Sequence, residues 1–435
     1  MRILVLFTRD LRVHDHAALD EACRTASEVV PLFVLDPALL GASANRDRFL
    51  LESLVDLDRS LERLGGRLFV RRGAVVDEVM EVAVQAGCSR IFVTGDASAY
   101  ARRRERLLAA ACARARLELR VFPENAVVEP GGLPRATAYR VFTPYLRAWG
   151  DRPPRGLVPA PRRVSVPGDL EPGRRPDPST VAPHAVDVPR GGERVGRRRL
   201  HAFLGRELQG YAEGRDDLAV EATSRLSPYL RFGCVSANEV AMRANGAAVA
   251  EPFVRQLAWR DFFLQLLAED PALAWRSLRD PVGIAEAGVP AERALAAWRD
   301  GRTGLPLVDA GMRQLLREGW MHNRARLVVA SFLTRRLGVP WQRGERHFSR
   351  LLIDADPANN AGNWQWAAGT GTDPRRTRTL NPVRQARRYD PSGAYVRRYV
   401  QELRDVQAPL IFTPWTDPSL MRRSGYPEPI VPVAT

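Results

Sequence analysis

Short apolar runs alternate with helical patterns over the first 125 residues of the chain. The runs have the length and the β-branched content of buried strands. The stretches between them, such as Arg48–Leu64 and Tyr100–Ala115, carry apolar residues three and four positions apart. This alternation predicts a parallel sheet covered by helices, that is, a Rossmann-like α/β domain. The predicted strands are Ile3–Phe7, Val29–Leu35, Leu68–Val70, Ile91–Val93 and Leu119–Phe122.

Helical periodicity returns near residue 200 and continues to about residue 403. Apolar spacings of three and four recur in Phe253–Leu267, Leu307–Leu316 and Arg326–Leu337, which predicts an all-α domain. Ten prolines between Arg152 and Arg190 prevent regular structure there and indicate a linker. We therefore predict an α/β domain (1–125), a connecting segment with a proline-rich linker (126–195), a helical domain (196–405) and a short irregular tail (406–435).

The amino-acid composition indicates that the protein binds a polyanionic partner. The formal net charge is +15, and all of the basic residues are arginine because lysine is absent. A GC-rich genome accounts for the choice of arginine but not for the excess of positive charge, which is typical of proteins that bind nucleic acid. The first residues are too short an apolar run for a signal peptide, and no segment has the ~20 apolar residues of a membrane span. We expect a cytoplasmic, monomeric protein without a membrane partner.

Several kinds of site are not indicated by the sequence. The segment after the first predicted strand lacks the Gly-x-Gly-x-x-Gly turn, so the predicted sheet need not hold the main cofactor. None of the four cysteines forms a Cys-x-x-Cys pair, which argues against zinc or a disulfide framework. Asp354 and Asp356 have no histidine or third acid at ligand spacing, so we predict no metal site.

Two segments of the helical region are candidates for binding a charged ligand. Thr223–Leu230 places hydroxyls before a proline, which predicts a helix that is capped by Ser227. Free N–H groups there, with Arg225 nearby, suit a pyrophosphate, although an ordinary capped helix explains the same residues. Gln256–Asp261 offers Trp259 for stacking and Arg260 for a phosphate or carboxylate; an amphipathic core helix is the alternative.

Two further segments combine aromatic and amide side chains. In Gly319–Arg326, Asn323 provides donors and an acceptor for a base edge, whereas His322 suits a structural role. Leu352–Trp366 contains two carboxylates, three asparagines and two tryptophans, a mixture that suits a flat heterocycle. Trp341 and Trp364 suggest electron hopping between indoles, with core packing as the alternative interpretation.

Long, ordered motifs in these segments resemble the photolyase/cryptochrome flavoproteins. The resemblance extends from residue 1 to about residue 405 and looks like the bacterial class I branch that repairs cyclobutane pyrimidine dimers. It rests on Phe7–Asp15, Thr223–Leu230, Trp259–Phe262, Gly304–Leu315, Gly319–Arg326 and Asp354–Thr372.

The resemblance implies an FAD cofactor, ultraviolet-damaged DNA as the partner and a set of site residues. Arg326 and Asp354 would pair beside the isoalloxazine, and Asn360 would face its reactive nitrogen. The full implied FAD set is Tyr211, Thr223, Ser224, Arg225, Leu226, Ser227, Phe253, Arg260, Asn323, Arg326, Phe348, Asp354, Asp356 and Asn360. Trp259 and Trp366 would flank the flipped dimer, and the other implied DNA contacts are Arg215, Asn323, Arg324 and Arg378.

The implied reaction is light-driven electron transfer from reduced FAD to a dimer that has left the base stack, and photolyases are among the enzymes known to extrude bases. Trp341 and Trp364 would begin the photoreduction chain. This sequence departs from the family at several positions. Gln256, the expected dimer contact, replaces a frequent Glu, and Phe253 replaces a frequent Trp. The third relay tryptophan aligns near Gly288, so that Trp298, Trp275 or a tyrosine would take its place.

Three other functions remain open at this stage, namely a cryptochrome-type light receptor, a (6-4) photolyase and a DNA-binding flavoprotein without repair. Asn360 disfavours a plant-type receptor, and Asn323 disfavours a (6-4) enzyme, which tends to carry His. A second, antenna chromophore, deazaflavin or folate, is expected in the N-terminal domain. Asp96 and Arg46 are its candidate contacts, and an acid at a strand end explains Asp96 equally well.

Overall fold

The computed structural model describes residues 1–123, 125–135, 137–244, 248–282, 288 and 290–432. Five strands lie within the first 122 of these residues, and each overlaps a predicted strand. The strand after Gly87 begins earlier than predicted, because Ser89 and Arg90 are polar and hide it from a search for apolar runs. The strands are β1 (Arg2–Phe7), β2 (Glu28–Leu35), β3 (Phe69–Arg72), β4 (Cys88–Thr94) and β5 (Glu118–Phe122).

Helices occupy the segments between the strands and most of the chain beyond residue 190. The described α-helices are α1 (Ala17–Thr25), α2 (Ala44–Arg63), α3 (Val75–Gln85), α4 (Ala99–Ala115), α5 (Phe142–Gly150), α6 (Glu193–Ala202), α7 (Tyr211–Gly214), α8 (Ser227–Arg231), α9 (Ala237–Ala244), α10 (Glu251–Glu269), α11 (Ala291–Arg299), α12 (Pro306–Glu318), α13 (Asn323–Ser331), α14 (Trp341–Leu351), α15 (Pro357–Ala368), α16 (Pro382–Tyr389), α17 (Ala394–Tyr399) and α18 (Pro418–Ser424).

The five strands form one parallel sheet in the order β3-β2-β1-β4-β5. Its central strand is buried on both faces, since Ile3 to Phe7 are at most 1% exposed. This explains why the strand reads as a continuous apolar run rather than as an alternating one. The order of connection reverses between β1 and β4, and ligands of such sheets bind at the carboxyl ends of the strands where this reversal occurs.

The chain divides into two units by its internal contacts. Unit 1 comprises Met1–Pro183, Pro189–Gln209 and Ser224–Ala272; unit 2 comprises His184–Val188, Gly210–Thr223 and Leu273–Thr435. Unit 1 contains the sheet and a core packed against it, and unit 2 has a helical core with Trp298, Trp341 and Trp364 among its members. The division into four segments that the sequence predicts stays a prediction.

The proline-rich stretch lies along the sheet of unit 1. Its carbonyl groups accept hydrogen bonds from strand backbones, Ser165 from Val29 and Pro172 from Val70 (both 2.8 Å). The second contact covers part of the edge strand β3, whose free N–H groups would otherwise be open to pairing with another chain. Its only regular element within the described residues is a short 3-10 turn at Pro178–Thr180.

The fold class that the sequence predicts is confirmed. A five-stranded parallel sheet with covering helices forms the N-terminal part, and the C-terminal part is helical. None of the helices in the described segments is long and apolar enough to cross a membrane.

Candidate functional site

The predicted site residues are distributed over both units. Unit 1 contains Arg46, Asp96, Ser224, Arg225, Leu226, Ser227, Phe253, Gln256, Trp259 and Arg260. Unit 2 contains Tyr211, Arg215, Thr223, Asn323, Arg324, Arg326, Trp341, Phe348, Asp354, Asp356, Asn360, Trp364, Trp366 and Arg378.

The predicted pyrophosphate segment is a constrained loop before a short helix. Ser227 is not the capping residue, and that prediction is wrong: Leu226 already has a helical backbone conformation, so the helix starts one residue earlier than expected. Arg225 has φ = 53°, a left-handed conformation that is unusual for a residue with a side chain and is concentrated at functional sites. The Arg199 Nε donates to the Ser224 carbonyl (2.8 Å), which fixes the start of the loop.

Helix α10 carries four of the predicted residues. Phe253, Gln256 and Arg260 follow each other at spacings of three and four and therefore share one side of the helix. The Gln256 Nε2 donates to the Pro252 carbonyl (3.3 Å). The Trp259 indole stacks on Phe142 with 3.6 Å between ring centroids and 6° between planes. The orientation of Trp259 thus depends on a side chain from α5.

Asp261, which follows these residues, joins α10 to the connecting segment. Its Oδ2 accepts hydrogen bonds from the Val127 N–H (2.9 Å), the Val128 N–H (3.0 Å) and the Trp149 indole (3.0 Å). Burial raises the pKa of Asp261, although Arg260 and these donors act in the opposite direction. The carboxylate is only 1% exposed and fixes the segment next to Trp259.

We expect Asp261→Asn to lower the free energy of unfolding by roughly 2–4 kcal/mol, since the neutral amide weakens the three hydrogen bonds at this oxygen and turns an NH2 group toward Arg260. Urea unfolding followed by circular dichroism measures the change. Asp405→Asn, a carboxylate that is 90% exposed, serves as the control. A loss below about 0.5 kcal/mol, the size of an ordinary surface change, would contradict this structural role for Asp261.

Unit 2 contains the ion pair that the resemblance implies. The Arg326 Nη2 lies 2.8 Å from the Asp354 Oδ2, and the Asp354 side chain is 3% exposed. The Arg326 Nε donates to the Met321 carbonyl (2.8 Å), which orients the guanidinium. The other carboxylate oxygen, Asp354 Oδ1, is buried and has no hydrogen-bond partner among the described residues. A buried anionic acceptor without a donor is costly unless a ligand supplies one.

The amide of Asn360 is held by α14. Its Nδ2 donates to the Glu345 Oε1 (2.8 Å) and to the Ser349 Oγ (3.0 Å). Because the nitrogen faces these groups, Oδ1 faces the other way and remains an acceptor. Asp356 caps the same helix, α15, by accepting from the Asn359 backbone N–H (3.0 Å). Capping a helix is a structural role, and the contact of Asp356 with FAD stays a prediction.

Trp364 is packed on several sides by unit 2. Its ring lies 5.0 Å from Phe348 and 6.0 Å from Trp298, both in edge-to-face geometry. The Trp341 indole donates to the Ser277 Oγ (2.9 Å). Of the candidates for the third relay member, Trp298 is fully buried, whereas Trp275 is 58% exposed. Gly288, where that tryptophan is missing, lies at the surface with open space around it.

Gly344 has no side chain, and this leaves the space in which the Trp364 ring lies against α14. A Cβ atom on Gly344 would lie 2.2 Å from the Trp364 Cη2 and 2.6 Å from the Leu333 Cδ2. We expect Gly344→Ala to lower the free energy of unfolding by roughly 1–3 kcal/mol through overpacking, as urea unfolding would measure. The control is Gly205→Ala, where a new Cβ meets nothing within 4 Å. Equal stability of both variants would contradict this packing role.

The predicted DNA contacts that lie in unit 2 are exposed or half-buried. The Arg378 guanidinium lies over the Trp366 ring at 5.2 Å, so two of these predicted residues meet directly. The Arg324 Nη2 lies 2.7 Å from the Asp216 Oδ1, and Asn323 is exposed at the start of α13.

Tyr211 and Arg215 meet at the short helix α7. Burial raises the pKa of Tyr211 to about 12, although a hydrogen bond with Arg215 acts in the opposite direction. Tyr211 therefore stays a neutral phenol at physiological pH.

The candidate antenna residues lie in unit 1. Asp96 follows β4 at the point where the sheet connection reverses, and it pairs with Arg9 (2.9 Å). Burial opposes ionisation of Asp96, but the charge of Arg9 together with the hydrogen bonds from Ser98 lowers the pKa of Asp96 below its usual value. The cavity beside this pair has a volume of only about 10 Å³. Arg46 lies in the first turn of α2, where its N–H donates to the Ser43 Oγ (3.4 Å).

The sequence argument missed three residues that support the site. Glu345 orients Asn360, Gly344 makes room for Trp364, and Phe142 supports Trp259. A glycine inside the amphipathic pattern of α14 was the one local signal available, because such a glycine needs a packing reason. Nothing near Glu345 or Phe142 in the sequence indicates these partners.

Comparison with known proteins identifies the family of this chain. The family model described as the FAD binding domain of DNA photolyase matches residues 253–435, and the model described as DNA photolyase matches residues 3–163. A protein of Streptomyces griseus named deoxyribodipyrimidine photo-lyase is 46% identical over 99% of this chain and 96% of its own. This chain belongs to the photolyase/cryptochrome family. The family match identifies FAD as the cofactor of the helical region.

Solved structures of the photolyase/cryptochrome family have the same fold. A class III photolyase from Agrobacterium tumefaciens has a TM-score of 0.91 at 32% identity, covering 99% of this chain and 94% of its own. An archaeal photolyase from Sulfolobus tokodaii, described with two FAD molecules, has a TM-score of 0.88 at 31% identity, covering 100% of this chain and 97% of its own. A class III structure among the similar ones means that family membership alone does not assign class I.

The described residues fit an FAD of this family. Asp354 Oδ1 is a buried acceptor that needs a donor, and a flavin ring offers N–H groups. Arg326 neutralises the same carboxylate, and Arg225 provides a cation in a constrained loop. The full set of FAD contacts that the resemblance implies stays a prediction; within each unit, Glu345 supports Asn360 and Arg199 supports Ser224.

Proposed function

We propose that this chain is a deoxyribodipyrimidine photo-lyase of class I that repairs cyclobutane pyrimidine dimers in DNA. The observation that carries the proposal is the ion pair of Arg326 with the buried Asp354, whose Oδ1 has no partner among the described residues, within a chain that resembles photolyases over its whole length. The net charge of +15 supports a DNA partner, because phosphate contacts dominate nucleic-acid affinity.

Bound FAD supplies the light-driven electron transfer that opens the dimer. The residues of the chain bind the cofactor and the DNA and orient them. Arg326 holds the Asp354 carboxylate in place, and Glu345 holds the Asn360 amide nitrogen so that Oδ1 remains an acceptor. Trp366 and Arg378 offer a flat surface and a cation for an extruded base and its phosphate. This chemistry requires neither a nucleophile nor a general acid.

Two residues favour dimer repair over the rival functions. Asn323 stands where (6-4) photolyases tend to carry His, and its exposed amide can donate to and accept from a base edge. Asn360 stands where plant receptors tend to carry Asp. Gln256 keeps hydrogen bonding to the dimer but adds no charge, so we expect repair to continue with Gln at this position.

The test uses full-length, flavin-loaded protein that has been chemically reduced. We expect blue light to restore the thymines of an oligonucleotide with one cyclobutane dimer, whereas the dark control and an oligonucleotide with one (6-4) product stay unchanged. Chromatography of the digested DNA measures both. Repair of the (6-4) product alone would refute the dimer assignment, and intact lesions in both substrates would refute the enzyme assignment.

We also propose an antenna chromophore at the carboxyl edge of the sheet, near Asp96 and Arg46. The Sulfolobus relative, described with a second FAD as a light-harvesting cofactor, supports this proposal. Binding there requires the small cavity next to Asp96 to open. An absorption spectrum of the purified protein tests it: a deazaflavin or folate band besides that of FAD is expected. FAD alone, at no more than one molecule per chain after reconstitution with each chromophore, would refute the proposal.

A further inference from the structure

Unit 1 carries a second concave site that neither FAD nor the implied DNA contacts use. It is a surface cleft of about 340 Å³, which we call the arginine cleft. Its walls are helix α6, helix α9 and the C-terminal end of α2. Five arginines line it: Arg63, Arg194, Arg197, Arg198 and Arg243.

Local periodicity explains why these arginines converge. Arg194, Arg197 and Arg198 are spaced by three and four along α6 and therefore share its outer face. The opposite face is buried: a Cβ on Gly196 would lie within 2.9 Å of atoms of Val235 and Tyr229. Close packing of α6 through this glycine directs the charged face into the cleft.

The carboxylates of the cleft are already engaged. Glu239 is buried and pairs with Arg197 (3.0 Å) and Arg243 (2.9 Å). Glu193, also buried, accepts from the backbone N–H groups of Val13 (2.9 Å) and His14 (3.0 Å) and contacts the His14 ring. Both acids therefore act as supports beneath the arginines and leave little negative charge at the surface.

Two of the arginines lack a neutralising partner. The Arg63 Nη2 donates to the Ser60 hydroxyl (2.9 Å), which carries no charge. Arg198 is exposed on α6. In the part of the chain that the structure describes, no carboxylate forms an ion pair with either guanidinium. Arg194 lies 3.7 Å from Asp56 and is 60% exposed. The cleft thus offers several exposed guanidinium groups to an anion.

The lining also indicates which kind of anion fits. Guanidinium groups bind phosphate oxygens in pairs of parallel hydrogen bonds. The described lining contains no Trp, Tyr or Phe, so the imidazoles of His14 and His201 are its only aromatic rings, and Leu200 is its one aliphatic side chain. The volume is at the lower end of small-molecule sites, and a concave cleft fits a compact ligand better than the convex backbone of a duplex.

We propose that the arginine cleft binds a linear di- or triphosphate anion, either free or as part of a nucleotide. The guanidinium groups of Arg63, Arg198 and Arg194 contact the phosphate oxygens, and Arg197 and Arg243 close the cleft while Glu239 holds them. The site is separate from the residues assigned to FAD and to damaged DNA, so its occupancy does not depend on the proposed repair activity.

The test is isothermal titration of flavin-loaded, full-length protein with tripolyphosphate at constant ionic strength. We expect saturable binding that becomes about 10- to 100-fold weaker in Arg63→Gln/Arg198→Gln, since two charge-assisted contacts are lost. The control variant Arg404→Gln/Arg422→Gln removes the same charge from exposed positions of unit 2 and should bind as the original chain does. Thermal unfolding verifies that both variants are folded.

Comparison of ligands completes the test. Equal affinity for ATP and tripolyphosphate means that the phosphate chain of a nucleotide is recognised, and weaker binding of ATP means that the free anion is preferred. Equal binding of sulfate would reveal ion accumulation only and would overturn the proposal. So would equal affinity of both double variants. A variant that loses affinity for undamaged duplex DNA, but not for tripolyphosphate, would make the cleft a DNA contact instead.

Discussion

Asp354→Asn is expected to bind FAD roughly 10- to 100-fold more weakly than the original chain, because a charge-assisted hydrogen bond contributes about 1.5–3 kcal/mol. The carboxylate does two things in the structure. Its Oδ2 pairs with Arg326 at 2.8 Å, and its Oδ1 is a buried acceptor without a partner among the described residues. The amide removes the negative charge at both oxygens. FAD retention after ultrafiltration, measured by absorbance at the flavin band, reports the change.

The control for this prediction is Asp405→Asn. Asp405 also lies beside an arginine, Arg404 at 3.3 Å, but its side chain is 90% exposed, so it makes only a surface ion pair. Circular dichroism at the ultrafiltration temperature separates loss of FAD from loss of fold. Folded Asp354→Asn that retains as much FAD as Asp405→Asn would refute the assignment of this carboxylate to the flavin.

Trp364→Phe is expected to slow the photoreduction of oxidised flavin at least about tenfold, while repair by chemically reduced enzyme continues. Phenylalanine is much harder to oxidise than tryptophan, so it cannot pass an electron along the proposed relay. It keeps an aromatic ring against Phe348 and Gly344, which limits the loss of core packing to a few kcal/mol. Flavin absorbance under blue light with an external reductant measures photoreduction.

Further tryptophan variants separate relay from packing. Trp415→Phe changes a half-buried tryptophan at the edge of the same core and should leave photoreduction unchanged. Trp298→Phe and Trp275→Phe distinguish the candidates for the third relay member. The last tryptophan of the relay must be reduced from solvent. The exposed Trp275 meets this requirement as the third member, whereas Trp298 is fully buried. Unchanged photoreduction in Trp364→Phe would refute the relay.

Candidate residues were found from the sequence where the motif is local. The Arg326–Asp354 pair that the resemblance implies is present in the structure. The assignment of Ser227 as a helix cap failed, because a cap depends on the backbone conformation of Leu226, and residue types alone do not fix where a short helix starts.

Supporting residues were missed because their partners are distant in the chain. Asp261 accepts from Val127, which is 134 positions away, and Trp259 stacks on Phe142 from another helix. The same holds for the arginine cleft: α6 alone reads as a solvated basic helix. Only the packing of α2 and α9 beside it places Arg63 and Arg243 on the same concave surface.

The sequence by itself determined the elements of this protein, the parallel sheet and the helical region, because the period of apolar residues depends on neighbours within one or two turns. Its motifs also determined the family. The tertiary structure decided which oxygen of Asp354 is left without a donor, which way the Asn360 amide turns and which arginines remain unpaired. Those properties depend on contacts between segments far apart in the chain, and no local pattern of residues encodes them.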